Sequence, residues 1–198
     1  MKFKAILLAG GLSTRMGKDK AMLSLHGVTL LQSAYDKIAE VFKQSKDQIL
    51  VSGNYSDFDS ITDIRPGNGP IEGIWSCTRT IEYDSAVLVF PVDMPLLTTS
   101  QFKVLFRQIM QEHNTGSSIE LVQFENYEMP FVFIYNAKTE KILSAVRDKK
   151  SNSERSIRHF KSELHKTTIA ESDFSYFINV NTPTEWEEVN DETSFECE

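Results

Sequence analysis

Apolar residues in this chain fall into short unbroken runs, separated by stretches in which they recur every three or four positions. Ile6, Leu7, Leu8 and Ala9 form one run, Ile49, Leu50 and Val51 a second, and residues 86–90 a third. Runs this short suit strands buried on both faces. Between them, Leu31, Tyr35, Ile38 and Phe42 keep helical spacing and give one apolar face, as do Phe102, Leu105, Phe106, Ile109 and Met110. The pattern predicts further helices from Ile74 to Ile81 and over 138–148, and strands over 118–123, 130–135 and 177–180. Thr182-Pro183-Thr184-Glu185 reads as a capping box with proline at the first helical position, so a final helix is expected there. Strands alternating with helices predict an α/β fold of three layers around a mostly parallel sheet with right-handed crossovers. At 198 residues, one domain over 1–190 accounts for the chain, and 191–198 reads as a frayed acidic tail.

Composition narrows the function classes. The formal net charge is −7, which disfavours a nucleic-acid partner, since such a partner calls for a basic patch. No apolar run approaches the roughly 20 residues that span a bilayer, so no membrane partner is expected. The run at 5–9 follows two lysines but stops at glycines without a small-x-small cleavage site. It is therefore read as the first strand, and the chain as cytoplasmic. Cys77 and Cys197 belong to no C-x-x-C or Cys/His cluster, so neither a disulfide framework nor a zinc site is expected. Cys77 reads as core and Cys197 as a tail thiol.

The candidate chemistry begins where the first strand ends. Gly10 and Gly11 open a loop in which successive N–H groups can turn towards one anion. Arg15, Lys18 and Lys20 then place three cations within six residues, a local cluster that can override the global charge. The P-loop spacing fails, because Leu12 stands where its first glycine should be and Asp19 replaces the hydroxyl that would hold magnesium. Gly10, Gly11 and Gly17 do not supply a G-x-G-x-x-G dinucleotide fingerprint either. The glycines alone are equally compatible with a turn followed by a solvated basic loop. Asp93, in V-L-V-F-P-V-D-M-P-L-L, lies just past the third buried run. A carboxylate there can cap a turn, or can hold Mg²⁺ together with triphosphate oxygens. Pro91 and Pro95 stiffen that loop and favour the metal reading.

The full string L-A-G-G-x-S-x-R-M-G-x-D-K resembles the signature of nucleotidyltransferases that join a nucleoside triphosphate to a phosphorylated acceptor. Within them it is most similar to the molybdenum cofactor guanylyltransferase family, and the resemblance covers roughly residues 3 to 190. It implies the Rossmann-like fold of those enzymes and transfer of GMP from GTP to the terminal phosphate of Mo-molybdopterin, with Mg²⁺ as cofactor. It implies Leu8, Ala9, Gly10, Gly11, Lys20, Ser52, Asp63 and Asp93 as GTP contacts, and Arg15, Lys20 and Asp93 as the catalytic set. Asp-x-Pro in that family binds magnesium; the cysteine that often precedes the aspartate is Val92 here, expected only to fill space.

Gly69-Pro70-Ile71-Glu72-Gly73 resembles the family's G-P-x-x-G loop beside the acceptor. Gly69 and Gly73 are therefore expected against molybdopterin, with Glu72 altering those contacts. Ser153-Glu154-Arg155-Ser156-Ile157-Arg158 resembles an acceptor segment in which Arg155 meets a phosphate, while Arg158 suits a solvated face equally well. Asn179 and Asn181 match an N-x-N-T-P motif; two apart on a strand, their amides would face one side and suit a pterin edge. Cofactor-delivery proteins and molybdoenzyme chaperones are the expected protein partners, and the chain is expected to be a monomer. Cytidylyl relatives acting on the same acceptor tend to carry L-A-A-G, whereas Leu8-Ala9-Gly10-Gly11 favours guanine. A CTP-dependent molybdopterin cytidylyltransferase and a non-catalytic nucleotide-binding regulatory module of the same fold are the alternatives.

Overall fold

In the computed structural model, residues 1–10, 19–43, 48–171 and 175–194 are described. The chain begins with β1 (Lys2–Leu8), followed by a 3-10 turn at Lys20–Met22 and a small hairpin of β2 (Ser24–Leu25) and β3 (Val28–Thr29). Next come α1 (Leu30–Val41), β4 (Ile49–Ser52), β5 (Ser60–Ile61), α2 (Pro70–Thr78), β6 (Ser85–Pro91) and α3 (Thr99–Asn114). The remainder is β7 (Leu121–Phe124), β8 (Phe131–Tyr135), α4 (Ala137–Arg147), α5 (Ile157–Ser162), β9 (Lys166–Ile169), a 3-10 turn at Ser175–Phe177 and α6 (Pro183–Ser194).

Seven strands form one sheet in the order β5-β4-β1-β6-β8-β7-β9. β8 runs antiparallel to both of its neighbours, and the other six strands point the same way. The mostly parallel mixed sheet is thus as expected. Alternation along β1 decides what each face buries. Ala5 and Leu7 pack with Leu31 and Ile38 of α1 and Phe102 and Leu105 of α3. Ile6 and Leu8 pack on the opposite face with Ile71 and Ile74 of α2, Leu143 of α4 and Phe160 of α5. Helices on both faces explain why β1, β4 and β6 are apolar at almost every position.

Helix starts follow local chemistry. Thr98 and Gln101 cap α3 reciprocally, as Asn136 and Thr139 cap α4. At α6, the Glu185 carboxylate accepts from the Thr182 amide at 2.9 Å, while the Glu185 amide donates to Thr182 Oγ1 at 3.3 Å, forming the expected capping box.

Three expectations need correction. Residues 177–180 are not a strand: Phe177 closes a 3-10 turn, and the Val180 amide donates to the Asp93 carbonyl at 2.8 Å instead of joining a ladder. The helix expected from Ile74 to Ile81 starts at Pro70 and ends at Thr78. The stretch read as a tail is helical as far as Ser194. Among the described residues, no helix is long and apolar enough to cross a membrane. Cys77 is buried, and its surroundings push the thiol up to about 12, burial first and then Asp63 and Asp59. Cys197 lies outside the described residues.

Candidate active site

Because six of the seven strands share a direction, the segments following β1, β4 and β6 leave the sheet at one edge. This is where open α/β sheets bind ligands. The backbone ties these exits together. Amides of Ala9 and Gly10 donate to the Ser52 carbonyl at 3.2 and 2.7 Å, and the Val92 amide donates to the Leu8 carbonyl at 3.2 Å. With Val180 held on Asp93, four chain segments distant in sequence meet at one place.

A cleft of about 420 Å³ opens on the α2 side of this edge, lined among others by Leu8, Gly10, Ser52, Asp63, Gly69 and Gly73. Gly69 caps α2 in the left-handed region, with φ of 77°, which favours glycine there. Gly73 is needed for a different reason: a Cβ at this position would sit 2.3 Å from Ser52 Oγ. Helix α2 therefore lies against the end of β4 because position 73 has no side chain. Ser52 Oγ donates to Asp63 Oδ1 at 3.4 Å. Burial, and then Glu72, push the Asp63 carboxyl above its usual range, and the Ser52 hydroxyl partly opposes this. Gly73→Ala should displace the Ser52 side chain and cost about 1–3 kcal/mol of stability. Adding Ser52→Ala should recover part of that loss, measured as urea midpoints of the single and double variants.

Beside the cleft lies a charged cluster. Lys20 Nζ donates to Asn181 Oδ1 at 2.6 Å and stands 3.6 Å from Asp93 Oδ2. Burial pushes the Asp93 carboxyl up; Lys20 opposes that shift and Glu185 adds to it. The Glu185 carboxylate is engaged by the Asn181 and Thr182 amides, so it holds the 181–182 turn in place under Lys20. Tyr55 closes the neck of the loop after β1. Its hydroxyl faces Asp19 Oδ2 at 2.9 Å and the Ala9 carbonyl at 3.1 Å, one acceptor on each side of that loop. Burial first, and then Asp19, push the phenol upward, so the hydroxyl stays protonated as a donor.

The model of the MobA-like NTP transferase domain family matches residues 5–166. The chain belongs to that family. A relative named molybdenum cofactor guanylyltransferase, from Xanthomonas euvesicatoria pv. vesicatoria (strain 85-10), is 32% identical over 183 residues, covering 91% of this chain and 90% of its own. The crystal structure of molybdopterin-guanine dinucleotide biosynthesis protein A from Archaeoglobus fulgidus superposes with a TM-score of 0.72 at 19% identity, covering 97% of this chain and 99% of that one. CMP:2-keto-3-deoxy-manno-octonic acid synthetase, complexed with CTP, superposes at 0.70 with 10% identity and full coverage of both chains. At such identities the two structures show a shared fold.

This MobA-like NTP transferase brings most of the expected residues together, with some changes of place. Leu8, Gly10, Ser52, Asp63, Gly69 and Gly73 share the cleft. The Gly10 amide, expected to face an anion, is instead engaged by the Ser52 carbonyl, as is that of Ala9. Gly11, Arg15 and Lys18 lie outside the described residues. Asn181 joins Lys20 and Asp93, whereas Asn179 is exposed, because residues 178–181 lack the strand alternation that would align the two amides. Glu72 is fully buried and does not face the cleft: it pairs with Arg147 at 2.7 and 3.0 Å and accepts from the Arg65 amide at 3.1 Å. Arg155 does not line the cleft; it donates to Asn68 Oδ1 at 2.8 Å, between the cleft-lining Gly67 and Gly69. Val92 is packed in the core, as its apolar side chain requires. Tyr55 had no signal in the sequence, whereas Glu185 stood in the capping box and Asp19 in the signature string, neither with a role in the site.

Proposed function

We propose that this chain transfers GMP from GTP to the terminal phosphate of Mo-molybdopterin, giving Mo-molybdopterin guanine dinucleotide and pyrophosphate. Family membership and the nearly full-length relative named molybdenum cofactor guanylyltransferase support the reading. The observation that carries it is the Lys20–Asp93–Asn181 cluster, formed where the segments after β1 and β6 and the 180–182 turn meet. The acceptor phosphate, with a second pKa near 6, is largely dianionic at neutral pH. Its oxygen attacks the α-phosphorus, the bond from that phosphorus to the bridging oxygen of the β-phosphate breaks, and pyrophosphate leaves with the electron pair. No side-chain nucleophile is required. Catalysis then rests on positioning and charge neutralisation.

Lys20 and Arg15 would meet the phosphate oxygens as a point charge and a fork, respectively. Asp93 suits Mg²⁺: among the described residues no cluster of three acidic, histidine or cysteine ligands exists, and magnesium commonly takes one or two carboxylates together with phosphate oxygens. When bound, the ion would supply positive charge to the triphosphate. Asp63 would accept from the N–H donors of guanine, with Leu8, Ala9, Gly10, Gly11 and Ser52 forming the rest of the nucleotide contact. Gly69, Arg155 and Asn179 would line the acceptor side, with Gly73 behind them and Asn181 between acceptor and Lys20.

The test offers the purified chain GTP and CTP in competition, with Mg²⁺ and loaded molybdopterin. Guanine dinucleotide and an equal amount of pyrophosphate are expected, and chelating the metal should stop both. Preferential use of CTP, or GTP binding without pyrophosphate release, would overturn the proposal.

A further inference from the structure

A second cavity, of about 220 Å³, lies between the β7–β9 edge of the sheet and α5. It is lined by Gln123 of β7, Tyr127 and Glu128 of the following turn, Arg158 and Lys161 of α5, and Lys166 of β9. Three of these residues are cations and one is an acid, in a chain of net charge −7. The cleft described above sits at the ends of β1 and β4, and β7 is three strand spacings from β1, roughly 14 Å. The two cavities are therefore separate.

Lys161 is only 5% exposed, where packing alone would favour an apolar residue. Its ammonium donates to the Glu128 and Tyr127 carbonyls at 2.7 and 3.3 Å, and lies 5.3 Å from the Phe131 ring centroid. Burial pushes its pKa down to about 8; Glu128 opposes this, while Lys166 and Arg158 add to it. The three cations thus repel one another across a small space, an arrangement that an anion would relieve. Gln123 Oε1 is also buried without a hydrogen-bond partner. A buried acceptor without a donor is costly, and such groups often mark a missing ligand. Cations alone would suit any oxyanion, but the orphaned acceptor adds a demand for a ligand that brings its own proton.

We propose that this cavity is a binding site for a hydrogen-phosphate group, its charged oxygens held by Arg158, Lys161 and Lys166 and its P–OH donated to Gln123 Oε1. The ligand is free hydrogen phosphate, because a phosphomonoester, with its second pKa near 6, has largely lost its P–OH at neutral pH. The site is independent of the guanylyl-transfer reading, because it uses none of the residues assigned there.

Calorimetry at fixed ionic strength tests it on the full chain, with inorganic phosphate, sulfate and glycerol 3-phosphate as probes. A Lys20→Ala background removes phosphate binding by the nucleotide cleft. In that background phosphate should still bind, and Arg158→Ala with Lys166→Ala should weaken it at least tenfold. Both side chains are exposed, so melting midpoints should stay the same. Sulfate, which carries no proton at neutral pH, should bind at least tenfold more weakly than phosphate, and Gln123→Leu should level the two. Glycerol 3-phosphate, largely without a P–OH at neutral pH, should bind as weakly as sulfate, and its matching phosphate would overturn the proposal. Phosphate binding that survives the double substitution, vanishes with Lys20→Ala, or is equalled by sulfate in the unaltered site would overturn the proposal.

Discussion

Replacing Lys20 with alanine should lower kcat for nucleotidyl transfer by about 10²- to 10³-fold, the usual loss when one preorganised charge is removed from a developing oxyanion. Lys20 is the cation that two oxygens already converge on, Asn181 Oδ1 at 2.6 Å and Asp93 Oδ2 at 3.6 Å. Its loss therefore acts twice. The phosphates lose a partner, and Asp93 loses the charge that offsets the upward push of burial. The Asp93 carboxyl then protonates at higher pH, so the acid side of magnesium-dependent GTP binding should move upward in Lys20→Ala. Asp93→Asn separates the two effects: it should also reduce turnover strongly, while raising the magnesium concentration needed for half-maximal rate. Stability should move the other way. A carboxyl whose pKa is raised on folding favours the folded state below its unfolded pKa, and that contribution is lost as pH rises through the folded value. At neutral pH the ionised Asp93 is thus a cost, and Asp93→Asn should melt higher than the parent. A fully active Asp93→Asn chain beside an inert Lys20→Ala chain would remove the magnesium role from Asp93 and leave Lys20 in place.

The sequence made these elements legible to different degrees, for physical reasons. Strand β1 and helices α1 and α3 were plain because burial on two faces, or on one stripe, writes itself into apolar spacing. The start of α6 was plain because its cap is local chemistry. By contrast, F-I-N-V-N over 177–181 mimics the alternation of a strand, yet the Val180 amide is claimed by Asp93, some ninety positions earlier in the chain. Strand β9, of sequence K-T-T-I, has no apolar face to announce it and exists through pairing with β7. Motif spacing located Lys20, Asp93 and Asn181 separately, but only the fold reveals that they touch. The same limit governed Tyr55, whose position in a polar loop gave no sign that it joins the two ends of another, and Lys161, whose neighbours come from three elements.

The largest stability effect should come from Glu72, which the resemblance of its loop to G-P-x-x-G implied would alter acceptor contacts. Its carboxylate is fully buried and accepts from Arg147 Nε at 2.7 Å and Nη2 at 3.0 Å. The Arg147 guanidinium in turn lies 3.6 Å from the Trp75 ring centroid, so α2 and α4 are joined by charge and by ring contact. Removing one partner of such a pair strands the other, and Glu72→Ala should cost about 3–5 kcal/mol in urea unfolding. Replacing both, as in Glu72→Leu with Arg147→Met, should recover most of the loss, since apolar pairs of similar volume commonly match buried ion pairs. Activity should not recover with it. Glu72 Oε1 also accepts from the Arg65 amide at 3.1 Å, and Arg65 begins the segment leading to Pro66, Gly67 and Gly69 in the cleft wall. The double variant leaves that amide without its acceptor, so the wall loosens while the helices stay packed. Its KM for GTP should therefore stay raised at near-parental stability, with kcat changed less. If the double variant were as unstable as Glu72→Ala, the carboxylate would matter through Arg65 and Ser76 instead of Arg147, because these are the groups the substitution cannot satisfy.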